Sequence, residues 1–363
     1  MAVKSTGEHA NKNQTSTAID EDLRKLLEAR QAKIKVVGVG GGGNNAVSRM
    51  MQVGVVGAEI IAMNTDAQDL LYTDADNKVL LGKDLTKGLG AGADPQVGQD
   101  AARESREEIK EALEGADLVF ITCGLGGGTG TGAAPIIADV AKKQGALTVG
   151  VVTLPFTMEG LPRQNNARFG IEELQKYVDT MIVIPNNKLL EVVPDVSITT
   201  AFKVADEILV NAVKGVTEII TKPGLVNRDF ADVRAIMRAG GLAMIGLGES
   251  DTENRALEAA EKAISNPLLD VEIDGASGAL INVIGGSDVT LKECNQIVEA
   301  VSSKLSPDAK IIWGAQINKE LGDIVRAMII VTGLKSNSVY EIQKPFSKDK
   351  RKEIEKILGI EFV

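Results

Sequence analysis

One stretch limits what this chain can become. Leu118-Val119-Phe120-Ile121-Thr122-Cys123 runs straight into Gly124-Leu125-Gly126-Gly127-Gly128-Thr129-Gly130-Thr131-Gly132, and then into Ala133-Ala134-Pro135. A short apolar run of this kind is a buried strand, and a buried strand feeding a helix belongs to an α/β sheet. From Gly126 to Gly132 five of seven residues are glycine, and the other two are threonine. Glycine lets an anion approach the backbone with no Cβ in the way, and N–H groups at a helix start point at that anion. The segment therefore reads as a cup of donors suited to a polyphosphate. Its helix is expected to begin near Ala133, because proline is favoured just inside a helix start. The rival reading is a flexible linker, but linkers do not join a buried strand to a helix. Residues 118–138 carry no charge and match a membrane span in length, yet six glycines and Pro135 make them strand, loop and helix start.

A second glycine loop lies upstream, where Ile34-Lys35-Val36-Val37-Gly38-Val39 leads into Gly40-Gly41-Gly42-Gly43-Asn44-Asn45. Gly38, Gly40 and Gly43 also satisfy the dinucleotide fingerprint, with Asp66 about where a ribose-binding acid falls. Alone, this loop could equally be a tight packing turn with no ligand. A nicotinamide-dependent oxidoreductase needs one such loop per cofactor, and this chain carries two. Neither a Gly-x-x-x-x-Gly-Lys-[Ser/Thr] motif nor a kinase-type catalytic loop occurs. Phosphate contacts must therefore rest on backbone donors and helix dipoles.

Strand, loop and helix alternate from residue 34 onward. Buried strands are expected at 34–39, 59–63, 118–122, 147–153 and 180–184, with helices at 99–113 and 136–143, the pattern of a doubly wound parallel sheet. A long helix follows from Thr199 to Thr221, in which Phe202, Ala205, Leu209, Ala212, Val213, Val216 and Ile220 recur at spacings of three and four. It would run about 35 Å, and Pro223-Gly224 stops it. Beyond it, strands at 242–247, 279–284, 310–313 and 325–332 alternate with helices at 252–265 and 291–305. The fold class expected is α/β: a doubly wound parallel-sheet domain (34–198), a long central helix (199–221) and a second, smaller α/β domain (222–335). An N-terminal extension (1–33), disordered and then briefly helical, precedes them, and a tail (336–363) follows.

Composition removes several function classes. The 363 residues carry 40 Lys+Arg against 50 Asp+Glu, a net charge of −10. That balance argues against wrapping nucleic acid or coating anionic lipid. Aromatics supply only 3%, too few for base-stacking surfaces. With one histidine and two distant cysteines, Cys123 and Cys294, neither a zinc site nor a disulfide framework can be built. Direct metal ligation by side chains cannot be argued. Residues 1–14 lack the apolar core of a signal peptide, so a soluble cytoplasmic protein with no direct membrane insertion is expected.

The run from Gly126 to Gly132 resembles the signature of the tubulin/FtsZ family, and the resemblance extends from about Lys33 to Leu334. The short tail and the Thr122-Cys123-Gly124-Leu125 before the signature look most like archaeal members. The resemblance implies a tubulin-like GTP-binding fold and a cytoskeletal GTPase of cell division. Such a protein polymerises head to tail into filaments of a cytokinetic ring at mid-cell beneath the membrane. Its ligands would be GTP and GDP, with Mg²⁺ bound through the nucleotide.

Carried over position by position, Gly41, Gly42 and Gly43 with Asn44 and Asn45 form the first loop, around phosphates and base. Asn64 and Asp66 sit near the phosphates and their Mg²⁺, and the cup from Gly126 to Gly132 holds the phosphates. Residues 88–95, with Gly90, Ala91 and Gly92, sense the γ-phosphate; here Ala93-Asp94 stands where the family often shows Gly-Asn. Glu159 and Arg163 hold the ribose and an α-phosphate, and Asn186 lies beside the base. Phe202 stacks on guanine, and Asp206 accepts from its N1–H and exocyclic amine. Four apart on one helix, Phe202 and Asp206 share a face; without the resemblance they read as a core ring and a solvated acid.

Asn227, Asp229 and Asp232, at the start of the helix after Pro223-Gly224, read by themselves as ordinary capping residues. The resemblance makes them the catalytic set, entering the nucleotide site of the next subunit to orient the attacking water. That would explain why no general base is evident near the phosphate loops. A head-to-tail contact of this kind generates open filaments. The basic tail, ending Ile357-Leu358-Gly359-Ile360-Glu361-Phe362-Val363, reads equally as a frayed end or a groove-docking peptide. In the family such a tail recruits a membrane-anchoring division adaptor. A non-hydrolysing GTP-binding scaffold of the same fold is the other alternative.

Overall fold

Strands buried on both faces must be largely apolar, and the first half of the chain supplies five such runs and a short edge strand. A computed structural model describes residues 32–192, 197–221, 230–238, 240–269, 273 and 276–334. β1 (Ile34–Val39), β2 (Ala58–Asn64), β3 (Asn77–Leu80), β4 (Leu118–Gly124), β5 (Leu147–Leu154) and β6 (Thr180–Pro185) pair in parallel in the order β3-β2-β1-β4-β5-β6. Successive residues feed opposite cores: Val37 and Val39 pack on one face, Ile34 and Val36 on the other. This is the doubly wound arrangement expected.

The sheet does not stop at β6. β7 (Gly241–Ser250) adds in parallel through three residue pairs, Thr180 with Gly241, Met181 with Leu242 and Ile182 with Ala243. β8 (Gly278–Gly285), β9 (Lys310–Ile317) and β10 (Val325–Leu334) complete the order β7-β10-β8-β9, with antiparallel pairing on both sides of β10. The second strand-rich half is thus the far end of one ten-stranded sheet.

The central helix, Ile198–Thr221, lies on one face. Ala205, Leu209, Ala212, Val213 and Val216 are buried with Ala46, Val47 and Met50 of the helix Gly40–Val53, with Val149 and Val151 of β5, and with Leu280 and Ile330 from beyond the seam. Each Leu or Val so buried contributes roughly 1.5–3 kcal/mol. Phe202 departs from the stripe: its ring is 42% exposed. The opposite face carries Thr129–Lys143 and, across the seam, Arg255–Ile264 and Leu291–Ser302.

Some expectations shift. Residues 99–113 form two helices, Pro95–Glu104 and Arg106–Ala112, broken at Ser105, whose hydroxyl accepts from the Gly82 N–H at 3.0 Å. The helix after the glycine run begins at Thr129 instead of near Ala133, so Pro135 lies inside it and costs the bond to the Thr131 carbonyl. Tertiary packing outweighs that cost: a Cβ at Gly132 would collide with the Pro95 carbonyl, and one at Gly130 would stand 2.9 Å from the Gly124 carbonyl oxygen. The short strand β3 and the helices Leu161–Leu174 and Asn186–Val192 were not foreseen. Among the described residues no helix is long and apolar enough to cross a membrane. The N-terminal extension and the tail lie outside the described residues.

Candidate nucleotide site

The two glycine runs meet at the ends of β1 and β4. The first is the opening turn of the helix Gly40–Val53, and the second leads through Gly126–Gly128 into the opening turn of Thr129–Lys143. Gly40 takes a left-handed φ of 69°, and a Cβ there would stand 2.9 Å from the Gly130 nitrogen. The glycines do two different jobs. At Gly38, Gly43, Gly128, Gly130 and Gly132 a side chain would strike neighbouring backbone, so these let helix and strand close together. At Gly41, Gly90, Gly92 and Gly127 a Cβ would meet nothing closer than 3.7 Å. Gly41 and Gly127 thus leave room for a ligand beside the paired helix N-termini, where partial positive charge favours an anion, and Gly90 and Gly92 leave room on the neighbouring loop.

Polar side chains tie the neighbouring turn to this junction. Thr65 and Thr129 share a hydroxyl hydrogen bond of 2.6 Å, and the Thr131 hydroxyl accepts from the Gly126 N–H at 2.9 Å. Asp66 caps the helix Ala67–Tyr72, its Oδ1 accepting from the N–H groups of Gln68 and Asp69. Asn64 accepts from the Thr65 N–H through Oδ1 and donates to Asp69 Oδ2 at 2.6 Å; Asn44 donates to the same oxygen at 3.2 Å. Asp69, which no motif singled out, thus gathers two of the expected site residues beside Gly41. The Asn44 Oδ1 is buried with no hydrogen-bond partner among the described residues, whereas Asn45 is exposed.

Residues 88–95 lie directly on the glycine run. A Cβ at Gly128 would stand 2.8 Å from the Ala91 Cβ and from the Asp94 nitrogen. The Gly90 N–H donates to the Thr65 carbonyl at 3.1 Å, and Asp94 caps the helix Pro95–Glu104 through the Gln96 N–H at 2.8 Å. Ala93 adopts a left-handed φ of 63°, a region that favours glycine. A Cβ in that region costs about 1 kcal/mol. Glycine relieves that strain but loses about 0.5–1 kcal/mol more backbone entropy on folding, so Ala93→Gly is expected to leave stability unchanged or slightly raised, read as the urea midpoint at unchanged slope. A midpoint lowered by the full entropic cost would show that the loop holds no strain there.

The other end of the site is built around Phe156. Its N–H donates to Glu159 Oε1 at 2.9 Å, and Arg163 donates to Glu159 Oε2 at 3.2 Å. The Arg163 carbonyl lies against Gly126, so this pair reaches the glycine run. Phe156 meets Phe202 edge to face, with centroids 5.2 Å apart, which leaves a face of the Phe202 ring open. One turn further, Asp206 is half-buried; burial, reinforced by the charge of Glu207, pushes its carboxyl up to about 6. Asn186 opens its helix with a buried Oδ1 that has no partner among the described residues. Contacts therefore link Asn44, the glycine junction, Arg163, Glu159, Phe156 and Phe202 in one series. Asp232 is exposed in the first turn of Phe230–Arg238, and Asn227 and Asp229 lie outside the described residues.

Comparison with known proteins places the chain in a family. The profile described as "Tubulin/FtsZ family, GTPase domain" matches residues 33–194, and "FtsZ family, C-terminal domain" matches residues 241–335. "Cell division protein FtsZ 1" of Thermococcus kodakarensis is 66% identical over 322 residues, covering 89% of this chain and 86% of that one. The solved "FtsZ dimer, empty (M. jannaschii)" is similar at a TM-score of 0.85 and 57% identity, covering 88% of this chain and 93% of that one. "CetZ1 from Haloferax volcanii – GDP bound monomer", at 24% identity and a TM-score of 0.75 over 86% of this chain and 97% of that one, shares the fold. The nicotinamide reading, which used one glycine loop alone, is not favoured. With both halves matched and two thirds of its residues identical across most of an archaeal relative, the chain belongs to the tubulin/FtsZ family and, within it, to the cell-division GTPases called FtsZ.

Proposed function

We propose that GTP lies along this series of contacts, phosphates at the open glycines and guanine at Phe202, and that hydrolysis is completed by the next subunit of a head-to-tail filament. The observation that carries the second part is the state of the carboxylates around the glycines. Asp66 and Asp94 cap helices, Asp69 holds two asparagine amides, and Glu159 is taken by a backbone N–H and Arg163. Each is engaged in building the cup. A water-orienting group is then best supplied from outside, and Asn227, Asp229 and Asp232 are the candidates the family resemblance offers. Relatives solved as a dimer and as a protofilament support self-association.

Within the chain, open backbone N–H groups of Gly41, Gly127 and the residues beside them hold phosphate oxygens, while Gly90 and Gly92 leave room for the γ-phosphate. Asp206 accepts the two guanine donors, and the orphaned Asn186 and Asn44 oxygens are free to accept from the base or ribose. The residues fit a magnesium ion held through the nucleotide: such an ion keeps waters and takes one or two carboxylates, and Asp69 with Asn64 borders Gly41. When bound, the ion supplies charge neutralisation on the phosphates. The two profiles, ending at 194 and beginning at 241, support a boundary at the central helix, with the tail 336–363 binding a membrane-anchoring adaptor at a division ring beneath the membrane.

The test is GTPase activity against protein concentration. A site finished by a neighbour requires specific activity to rise with concentration until filaments form. Constant activity down to the most dilute sample would mean that each subunit hydrolyses alone.

A further inference from the structure

Asn166 has no place in the motifs above, yet it sits where two nucleotide loops meet. It lies on Leu161–Leu174, the helix that also carries Arg163. Its Nδ2 donates to the Ala93 carbonyl at 3.0 Å and to the Gly126 carbonyl at 3.3 Å. One amide nitrogen has two hydrogens, and here each has an acceptor on a different loop. The two acceptors are held in demanding geometry, since Ala93 has a φ of 63° and Gly126 a φ of 111°. Elsewhere the same loops touch by close packing, Gly128 against Ala91 and Asp94. Packing resists compression but not separation; the amide resists separation.

We propose that Asn166 is a positioning residue that makes residues 88–95 and the glycine run move as one body, so that a γ-phosphate held by one is felt by the other. The inference rests on the reading of residues 88–95 as the γ-phosphate loop. A segment ordered by a γ-phosphate is a recurrent switch, and Asn166 is the strut that carries that order from the loop to the cup and to the helix bearing Arg163. Aspartate at this position keeps the shape and loses both donors, turning oxygens toward two carbonyls. Glutamine keeps the donors on a longer arm.

The experiment compares the full-length parent, Asn166→Asp and Asn166→Gln in three measurements: GDP affinity in dilute solution, amide exchange across residues 88–95 with GDP or a non-hydrolysable GTP analogue, and the concentration at which GTP drives sedimentation. In the parent, exchange is slower with the analogue than with GDP. Asn166→Asp is expected to speed analogue-bound exchange about tenfold and to raise the assembly concentration by a similar factor, the loss of two modest hydrogen bonds. GDP affinity stays within about twofold, and Asn166→Gln recovers most of both effects. Unchanged exchange in Asn166→Asp overturns the proposal, as does GDP affinity falling in step with assembly, which would make Asn166 a general support of the pocket. A parent whose loop exchanges alike with both nucleotides removes the γ-phosphate reading itself, a failure visible before any variant is measured.

Discussion

Replacing Asp229 by alanine is expected to leave GTP binding by the dilute monomer unchanged and to slow hydrolysis in the assembled state by roughly 10²–10³-fold. The pocket proposed for the nucleotide draws on residues 40–206, and a residue acting on the neighbour's nucleotide can be removed without touching it. Filaments of Asp229→Ala should therefore persist. The complementary variant is Gly127→Asp, where nothing stands within 4 Å of a new Cβ, so a carboxylate can be added to the phosphate cup without disturbing the fold. It should not hold GTP but still presents an intact Asp229. Mixed with Asp229→Ala, it should restore part of the hydrolysis at intermediate ratios, wherever it precedes a GTP-loaded neighbour. Loss of GTP affinity in monomeric Asp229→Ala would assign the residue to its own subunit's pocket and end the shared-site mechanism.

The second large effect is expected at Asp206. A carboxylate can take both guanine donors, and adenine lacks that pair, so Asp206→Ala should weaken GTP binding by about tens- to hundreds-fold. Equal affinity of the parent for ATP and GTP would sink the assignment. The carboxyl adds a pH signature. Burial holds it near 6 in the nucleotide-free chain, above the ordinary range, so it is ionised and fully accepting only above that value. GTP affinity should therefore fall as pH drops below 6, by about tenfold per unit, while Asp206→Asn should show a flat profile. The sign for stability is opposite. A raised carboxyl binds its proton more tightly folded than unfolded, so its contribution weakens as pH rises from about 4 toward 6.

The fold was legible because apolar runs and glycine loops carry most of it. Strands β1, β4, β5 and β6 lie where largely apolar runs place them, within a residue or two. β3 escaped because Asn77-Lys78-Val79-Leu80 is a four-residue edge strand with two exposed polar positions, too short for any period to register. The helix start at Thr129 escaped because the rule favouring proline early in a helix is local, while the glycines ahead of it are held helical by contacts with residues 39, 95 and 124. Without the family resemblance Phe202 reads as core, because spacing cannot tell a ring at the end of an apolar stripe from one beyond it. Asp69 and Asn166 carry no motif: their partners lie 5, 25, 40 and 73 residues away in sequence, and only the folded chain brings them together. Nor does sequence distinguish a glycine kept for packing from one left open to ligand.

The seam between β6 and β7 has a mechanical meaning. It holds three rungs, against seven between β4 and β5 and nine between β7 and β10. Force spread across the width of the sheet is shared by fewest bonds at residues 180–182 and 241–243, so stiffness is lowest there. Like the shorter helix Phe230–Arg238, the central helix packs its apolar face on strands on both sides of that line, Val149 and Val151 on one, Leu280 and Ile330 on the other. It therefore acts as an axle beside a thin joint. Bending of a filament assembled from such subunits would be taken up as rotation inside each subunit about that axle, leaving the glycine junction, which lies wholly to one side, unstrained.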